Sequence, residues 1–249
     1  MPTRASLRFV AATNPITELR TKFGGQTVWL GAPRWPLDAW NDAPMLFIGQ
    51  IVMDAAMFGA LGGRVVYVFQ RDNSDDDDAL GESDAGLTAA IVQSDGEASA
   101  QPNDPPAEAY RCSDQATGPS IFALDDDNEC QPVEFNVTSQ LQQEPDLGTA
   151  ERHCDATLDR DDGYEFGPIS AAFAGNKLGG QPLYPDPLNQ AADDAGWRLV
   201  LQLGPRSGYY RPDFTPNFLP FFAEWGEFGV LHVLITEGGD RARVEIRTP

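Results

Sequence analysis

Three segments of the chain recur in the same order later in the sequence. The first pair is KFGGQTVW at 22–29 and KLGGQPLY at 177–184, the second is LFIGQI at 46–51 and RLVLQL at 198–203, and the third is VVYVF at 65–69 and VLHVL at 230–234. The separations are 155, 152 and 165 residues, so both order and approximate spacing are kept. Self-similarity of this kind is typical of chains built from repeated units. We therefore predict two copies of one structural unit, in residues 1–71 and 168–249.

Each copy has the pattern of a β-rich unit. A Lys-x-Gly-Gly turn is followed by a short extended segment, and two apolar segments come after it, the first with a glutamine near its end. Paired glycines before a strand indicate left-handed backbone or the close approach of another chain. Short helical or turn segments are predicted at 11–20 and 169–176. We expect an α+β fold, mostly antiparallel β, in which the two copies pack together.

Acidic charge is concentrated between the two copies. The 249-residue chain carries 38 acidic and 17 basic residues, a net charge of −21. Residues 72–165 hold 25 acidic residues and three arginines, a net of −22, whereas the rest holds 14 basic and 13 acidic residues. We predict that residues 72–167 form an acidic strand-and-loop insert, with strands at 120–124 and 132–137 and a strand or short helix at 86–92.

This charge distribution bears on the class of partner. A strongly negative segment repels phosphate backbones and anionic membrane surfaces, so we expect neither direct nucleic-acid binding nor membrane binding. It favours association with a basic protein. The candidate partner-binding residues are the acidic runs and their neighbours: Asp75, Asp76, Asp77, Asp78, Asp125, Asp126, Asp127, Glu129, Asp161 and Asp162.

The only two lysines, Lys22 and Lys177, occupy matching positions in the two copies. One interpretation is a pair of ammonium groups that face an anion or a small ligand. The other is structural, with each lysine bound to local carbonyl groups and its stem covering apolar surface. Gln50 and Gln202, embedded in apolar segments, have a similar structural interpretation, because a glutamine in a core strand usually satisfies neighbouring backbone groups.

No catalytic constellation is evident in the sequence. His232 takes the position that Tyr67 holds in the first copy, so we expect it to pack in the core. His153 precedes Cys154 in an acidic region, and the chain has no nucleophile-elbow motif. We predict a protein that is not an enzyme.

The sequence also predicts no cofactor and no metal. Cys112, Cys130 and Cys154 lack the paired spacing of zinc ligands, the acidic runs lack the EF-hand spacing, and Lys-x-Gly-Gly lacks the phosphate-loop spacing. Three widely spaced cysteines and the lack of a signal-peptide or membrane-span pattern favour a cytoplasmic protein with reduced thiols, a Cys112–Cys130 bridge remaining the alternative.

The repeat motifs resemble those of the YwqG-like family, a domain of unknown function. The first half carries KFGG at 22–25, WP at 35–36, PM at 44–45 and FIGQI at 47–51; the second carries NKLGGQP at 176–182, NFLP at 217–220 and EWGEFG at 224–229. The resemblance covers roughly residues 16–71 and 168–236 and implies a duplicated α+β fold with no established catalytic residue. Many relatives have cysteines between WP and PM, where this chain has none, so no metal role carries over.

Some members of that family resemble immunity proteins encoded beside bacterial toxins. Together with the acidic segment, this resemblance leads us to expect an immunity protein that neutralises a basic toxin by occluding its active site. A nuclease delivered by a secretion system is the first expectation for that toxin. The alternative is a small-ligand-binding protein or an enzyme that uses Lys22 and Lys177 in a cleft between the copies.

Overall fold

The structure is a computed structural model. It describes residues 2–71, 88–94, 110–124, 130–148, 156–159, 163–166, 168–184, 196–204 and 230–247. Strands dominate these segments, and the two α-helices are short.

The elements follow one another along the chain as β1 (Thr3–Ala11), β2 (Lys22–Gly24), β3 (Trp35–Asp38), β4 (Leu46–Val52), α1 (Ala55–Phe58), a single 3₁₀ turn (Gly59–Leu61), β5 (Val65–Gln70), β6 (Thr88–Gln93), β7 (Tyr110–Ser113), β8 (Phe122–Leu124), β9 (Cys130–Pro132), β10 (Glu134–Gln143), β11 (Ala156–Asp159), β12 (Gly163–Phe166), α2 (Pro168–Phe173), β13 (Lys177–Gly179), β14 (Trp197–Leu203), β15 (Val230–Thr236) and β16 (Ala242–Arg247).

Ten of these strands form one sheet, in the order β16-β15-β14-β13-β1-β10-β2-β4-β5-β6. Every pairing within it is antiparallel. The central pair is β1 and β10, and outward from it each side has a three-residue strand, a seven-residue strand and two strands of six or seven residues. Each side also has one register shift, between its seven-residue strand and the next strand.

The sheet curls until its two edge strands meet. The Thr88 hydroxyl of β6 donates a buried hydrogen bond of 3.1 Å to the backbone oxygen of Val244 on β16. Near the ends of β5 and β15, the Arg64 guanidinium donates to the backbone oxygen of Gly239 over 3.0 Å. Residues from both sides of the sheet contribute to one buried apolar core, which includes Phe23, Ile48, Val66, Val68, Val200, Leu201, Leu231 and Val233. The curl thus makes β1–β6 and β13–β16 parts of one packed unit.

A second apolar cluster covers the outer face of β4, β5 and β6. Its buried members are Trp35, Met45, Phe47, Val65, Tyr67, Phe69, Ala89 and Ile91. Strand β3, paired with β7 in a separate two-stranded sheet, brings Trp35 onto this face. The alternation of side chains along β5 explains the two clusters, because successive residues point to opposite faces of a sheet.

The prediction of a mostly antiparallel β fold is confirmed. Of the local predictions, the described part of 86–92 lies in β6, 132–137 spans the end of β9 and the start of β10, 120–124 contains β8, and 169–176 overlaps α2. The described residues at 11–20 contain no helix. The segment predicted as an insert supplies β6 to one edge of the sheet and β10 to its centre. Its described part is therefore built into the same sheet as the two flanking segments.

The glycine that ends β2 has no room for a side chain. Gly24 has a φ of +69°, and a Cβ built there would lie 2.1 Å from the backbone oxygen of Val133. We predict that Gly24→Ala lowers the free energy of unfolding by about 2–5 kcal/mol, from left-handed strain plus the displaced backbone. Gly63→Ala is the matched control, because Gly63 has a φ of +84° with nothing within 4 Å.

Gly63→Ala measures the left-handed backbone strain alone, which costs about 1–2 kcal/mol of unfolding free energy. Urea denaturation of both variants provides the comparison. If Gly24→Ala and Gly63→Ala lowered the free energy of unfolding equally, the close approach of β2 to Val133 would be contradicted.

Candidate functional site

The two lysines lie in the three-residue strands that flank the central pair. Lys22 begins β2 and Lys177 begins β13, and their exposed fractions are 0% and 1%. Both are thus in strands, where the sequence had indicated turns. A buried ammonium group is costly unless it is both paired and hydrogen-bonded. The contacts of each lysine therefore decide what it can do.

Lys22 is bound to Glu134, the first residue of β10. Its Nζ donates to Glu134 Oε1 over 2.6 Å and to the backbone oxygen of Ile16 over 3.0 Å. The other carboxylate oxygen, Oε2, accepts from the Ile16 N–H over 3.1 Å. The Glu134 side chain is 13% exposed, so one edge of this pair reaches solvent.

Lys177 is bound to Glu144, which directly follows β10. Its Nζ donates to Glu144 Oε1 over 2.5 Å and to the backbone oxygen of Gln181 over 2.6 Å, and Glu144 Oε2 accepts from the Gln181 N–H over 2.6 Å. Arg4 Nη1 lies 3.5 Å from the same carboxylate. The Phe173 ring centroid is 5.4 Å from Nζ. With the Glu144 side chain at 0% exposure, this pair is the more enclosed of the two.

The two glutamates lie at opposite ends of one strand. Glu134 opens β10, and Glu144 comes one residue after its last residue, Gln143. The central strand β10 therefore provides the counter-ions of both lysines, one in each half of the ten-stranded sheet.

Each lysine stands beside a buried glutamine on the next strand. Lys22 pairs in register with Gln50, and Lys177 with Gln202. Both glutamines are 0% exposed. Gln50 Oε1 accepts from the Val28 N–H over 2.9 Å, and its Nε2 donates to the Arg20 backbone oxygen over 2.9 Å.

Gln202 makes the corresponding bonds. Its Oε1 accepts from the Leu183 N–H over 2.9 Å, and its Nε2 donates to the backbone oxygens of Phe173 and Gly175 over 2.8 and 3.2 Å. The structural interpretation of the two glutamines, backbone satisfaction inside a core strand, agrees with these bonds.

On the strand after each glutamine, an aromatic side chain lies in register with it. Tyr67 pairs in register with Gln50; its hydroxyl donates to the Val28 oxygen over 3.0 Å and accepts from the Leu30 N–H over 2.7 Å. Burial raises the pKa of Tyr67 well above its ordinary value. His232 pairs in register with Gln202, is fully buried, and has its Nε2 3.3 Å from Gln202 Oε1. The expectation that His232 packs in the core agrees with this placement.

These contacts constrain an anion or ligand site at the lysines. Each ammonium group already contacts a carboxylate oxygen and a backbone oxygen, and each is enclosed by the sheet. An external anion would have to displace Glu134 or Glu144, or enter beside it. The anion or ligand site at Lys22 and Lys177 stays a prediction.

The acidic runs are the second set of candidate residues that the sequence predicts. Asp75, Asp76, Asp77, Asp78, Asp125, Asp126, Asp127, Glu129, Asp161 and Asp162 all lie outside the described residues. The same is true of His153 and Cys154. Within the described segments, no three His, Cys, Asp or Glu side chains are grouped so as to hold a metal ion.

Sequence reasoning missed Glu134 and Glu144, the residues that complete both lysine sites. Neither lies in a recurring segment, so self-comparison gave no signal for them. Each buried lysine requires an acid at contact distance, and the number of lysines was readable from the sequence. What could not be read was which of the 38 acidic residues would serve.

Comparisons of the chain with protein-family models, with curated proteins and with solved structures gave no match. The resemblance to the YwqG-like family therefore stays a prediction. Among the described residues, no helix is long and apolar enough to cross a membrane.

We predict that the two lysines contribute unequally to stability. Lys177→Met removes the closer of the two cations beside the enclosed Glu144 carboxylate and leaves Arg4, 3.5 Å away, to balance its charge. We expect the free energy of unfolding to fall by about 3–5 kcal/mol. Lys22→Met leaves Glu134 partly exposed to water, and the loss is about 1–3 kcal/mol. Urea denaturation measures both.

The double variant Lys177→Met/Glu144→Gln serves as the control for buried charge. It removes the uncompensated carboxylate and recovers part of the loss caused by Lys177→Met. Equal losses at the two lysines, or no recovery in the double variant, would contradict this account of the pairs.

Cys112 offers a pH-dependent test of the β3–β7 region. It is a free cysteine, and burial raises the pKa of its thiol, while the Arg34 charge and hydrogen bond oppose that rise. Thiolate is the reacting form, so alkylation of Cys112 in a Cys130→Ser/Cys154→Ser variant has its pH midpoint above the ~8.5 of an unperturbed thiol. In urea the midpoint returns to about that value. A folded-state midpoint at or below it would contradict the burial.

Proposed function

We propose that this chain is an immunity protein that binds and neutralises a basic toxin, with a nuclease as the first candidate. The observation that carries the proposal is the segregation of charge. Residues 72–165 have a net charge of −22, while the remainder, with 14 basic and 13 acidic residues, is close to neutral. A general surface adaptation would spread acidic residues over the whole chain. Charge confined to one segment is suited to facing one basic surface.

The contacts of the folded scaffold support this division of roles. Glu134 and Glu144, two of the 25 acidic residues in that segment, are used internally to neutralise the two lysines. The ten candidate partner-binding residues belong to other parts of the segment. The two acids that neutralise the lysines are therefore not among the candidate partner-binding residues.

We also propose that the scaffold is a duplicated unit. Support comes from hydrogen bonds that recur at nearly constant offsets: the two glutamines are 152 residues apart and their backbone partners 155. Gln50 bonds Val28 and Arg20, and Gln202 bonds Leu183 and Gly175. Gly24 and Gly179 share a positive φ, of +69° and +61°.

In this role the acidic segment takes the place of a nucleic-acid phosphate backbone. Opposite charges steer the encounter and raise the association rate, and the effect falls with ionic strength. An inhibitor that covers the active-site groove of the toxin needs no catalytic group of its own. The proposed activity is cytoplasmic, non-enzymatic and independent of a cofactor.

The test uses the protein encoded by the neighbouring open reading frame, in a form without toxic activity. Binding to the wild-type chain should be tight, and its association rate should fall at least tenfold between about 0.05 M and about 0.5 M salt. Asparagine in place of Asp75, Asp76, Asp77 and Asp78 should lower the association rate and reduce the salt dependence.

Lys22→Met is the control that separates this function from the alternative. It should leave binding and toxin protection unchanged wherever the variant is folded. Loss of binding in folded Lys22→Met, or a small molecule retained by the wild-type chain and lost from that variant, would favour a ligand site at the lysines. Lack of salt-sensitive binding to a basic neighbour would overturn the proposal.

A further inference from the structure

The most exposed large apolar side chain in the described part of the molecule is that of Trp40. It is 67% exposed, whereas Trp35, five residues earlier, is completely buried. Trp40 lies in the turn that follows β3. An exposed indole of this size is a common anchor at protein interfaces and has no role in the packing of the core.

The turn that carries Trp40 is held by hydrogen bonds. The Asp38 N–H donates to the Ala43 backbone oxygen over 2.8 Å, and the Asp42 N–H donates to the Asp38 backbone oxygen over 3.0 Å. Asp38 Oδ1 accepts from the Trp40 N–H over 2.9 Å. Asp42 has a φ of +58°, the one positive value among the described non-glycine residues. The backbone that presents the indole is thus fixed before any partner arrives.

The indole itself is supported by an arginine. The Arg71 guanidinium carbon lies 4.7 Å from the Trp40 ring centroid, and Arg71 Nε is 2.9 Å from Asp38 Oδ2. The Asp38 side chain is 4% exposed, so this carboxylate binds both the Trp40 backbone and the Arg71 side chain from a buried position. Rigid aromatic groups lose little conformational freedom on binding, which favours affinity.

At the turn itself, Asp38 is paired with Arg71 and Asp42 with Arg111, so the kind of partner is indicated by the charge of the segments that continue from it. Arg71 is the residue that precedes segment 72–87, and Tyr110, paired in register with Asp38, follows segment 95–109. These two segments contain eleven acidic residues and no basic one. A cationic surface attracted to either segment is brought towards the turn between their points of attachment.

We infer that the Trp40 side chain, held by the turn at 38–42 and by Arg71, forms the apolar anchor of the interface with a basic protein. The inference rests on the proposed function and specifies its surface. Acidic segments govern how fast the complex forms, and Trp40 governs how long it lasts, by entering an apolar pocket on the partner. Most differences in affinity between related complexes lie in the dissociation rate.

The experiment compares Trp40→Ala with Leu141→Ala, using the inactive protein encoded by the neighbouring open reading frame as the probe. Leu141 is the matched control because it is 66% exposed and lies on β10. Surface plasmon resonance gives both rate constants. Trp40→Ala should raise the dissociation rate at least tenfold and leave the association rate within about twofold. Leu141→Ala should change neither.

Urea denaturation of Trp40→Ala checks that the variant is folded, and a second variant, Trp40→Phe, should restore part of the lost residence time. A dissociation rate for Trp40→Ala within twofold of the wild-type rate would overturn the inference and leave the proposed function standing. An equal effect of Leu141→Ala would do the same. If the wild-type chain does not bind the probe, the proposed function fails and the inference fails with it.

Discussion

Two ammonium groups are buried in this fold, and each requires a carboxylate at contact distance. Lys22 and Lys177 meet that requirement through Glu134 and Glu144, at the two ends of β10. A buried charge without a partner costs several kcal/mol. If β10 left the centre of the sheet, both lysines would lose their counter-ions and that free energy would be lost from the fold. The position of the central strand, and with it the register of β2 and β13, depends on these two pairs.

The two Lys–Glu ion pairs also connect the two halves of the ten-stranded sheet. Because one strand provides both counter-ions, the strands on either side are bound to the same element. The contact between Thr88 and Val244 joins the outer edges as well, so the sheet is held at its centre and at its margin. The acidic segments 72–87 and 95–109 continue from this scaffold after Arg71 and before Tyr110.

Sequence comparison predicted the residues that recur and missed those that do not. The offset of 155 residues related Lys22 to Lys177, and the structure places both lysines beside a buried glutamine. Glu134 and Glu144 escaped because strand pairing between distant segments decides which acids reach the lysines. Trp40 escaped for a related reason, since its exposure follows from the turn after β3 and not from any local pattern.

In the proposed role, the buried lysines maintain the scaffold while the acidic segments and the Trp40 turn meet the partner. Hydrogen–deuterium exchange of the chain, alone and with the neighbouring gene product, tests this separation directly. Protection on binding should be concentrated in residues 38–42 and in the acidic segments, while the amides of β2 and β13 exchange at unchanged rates. Protection concentrated around Lys22 and Lys177, with none in the acidic segments, would contradict it.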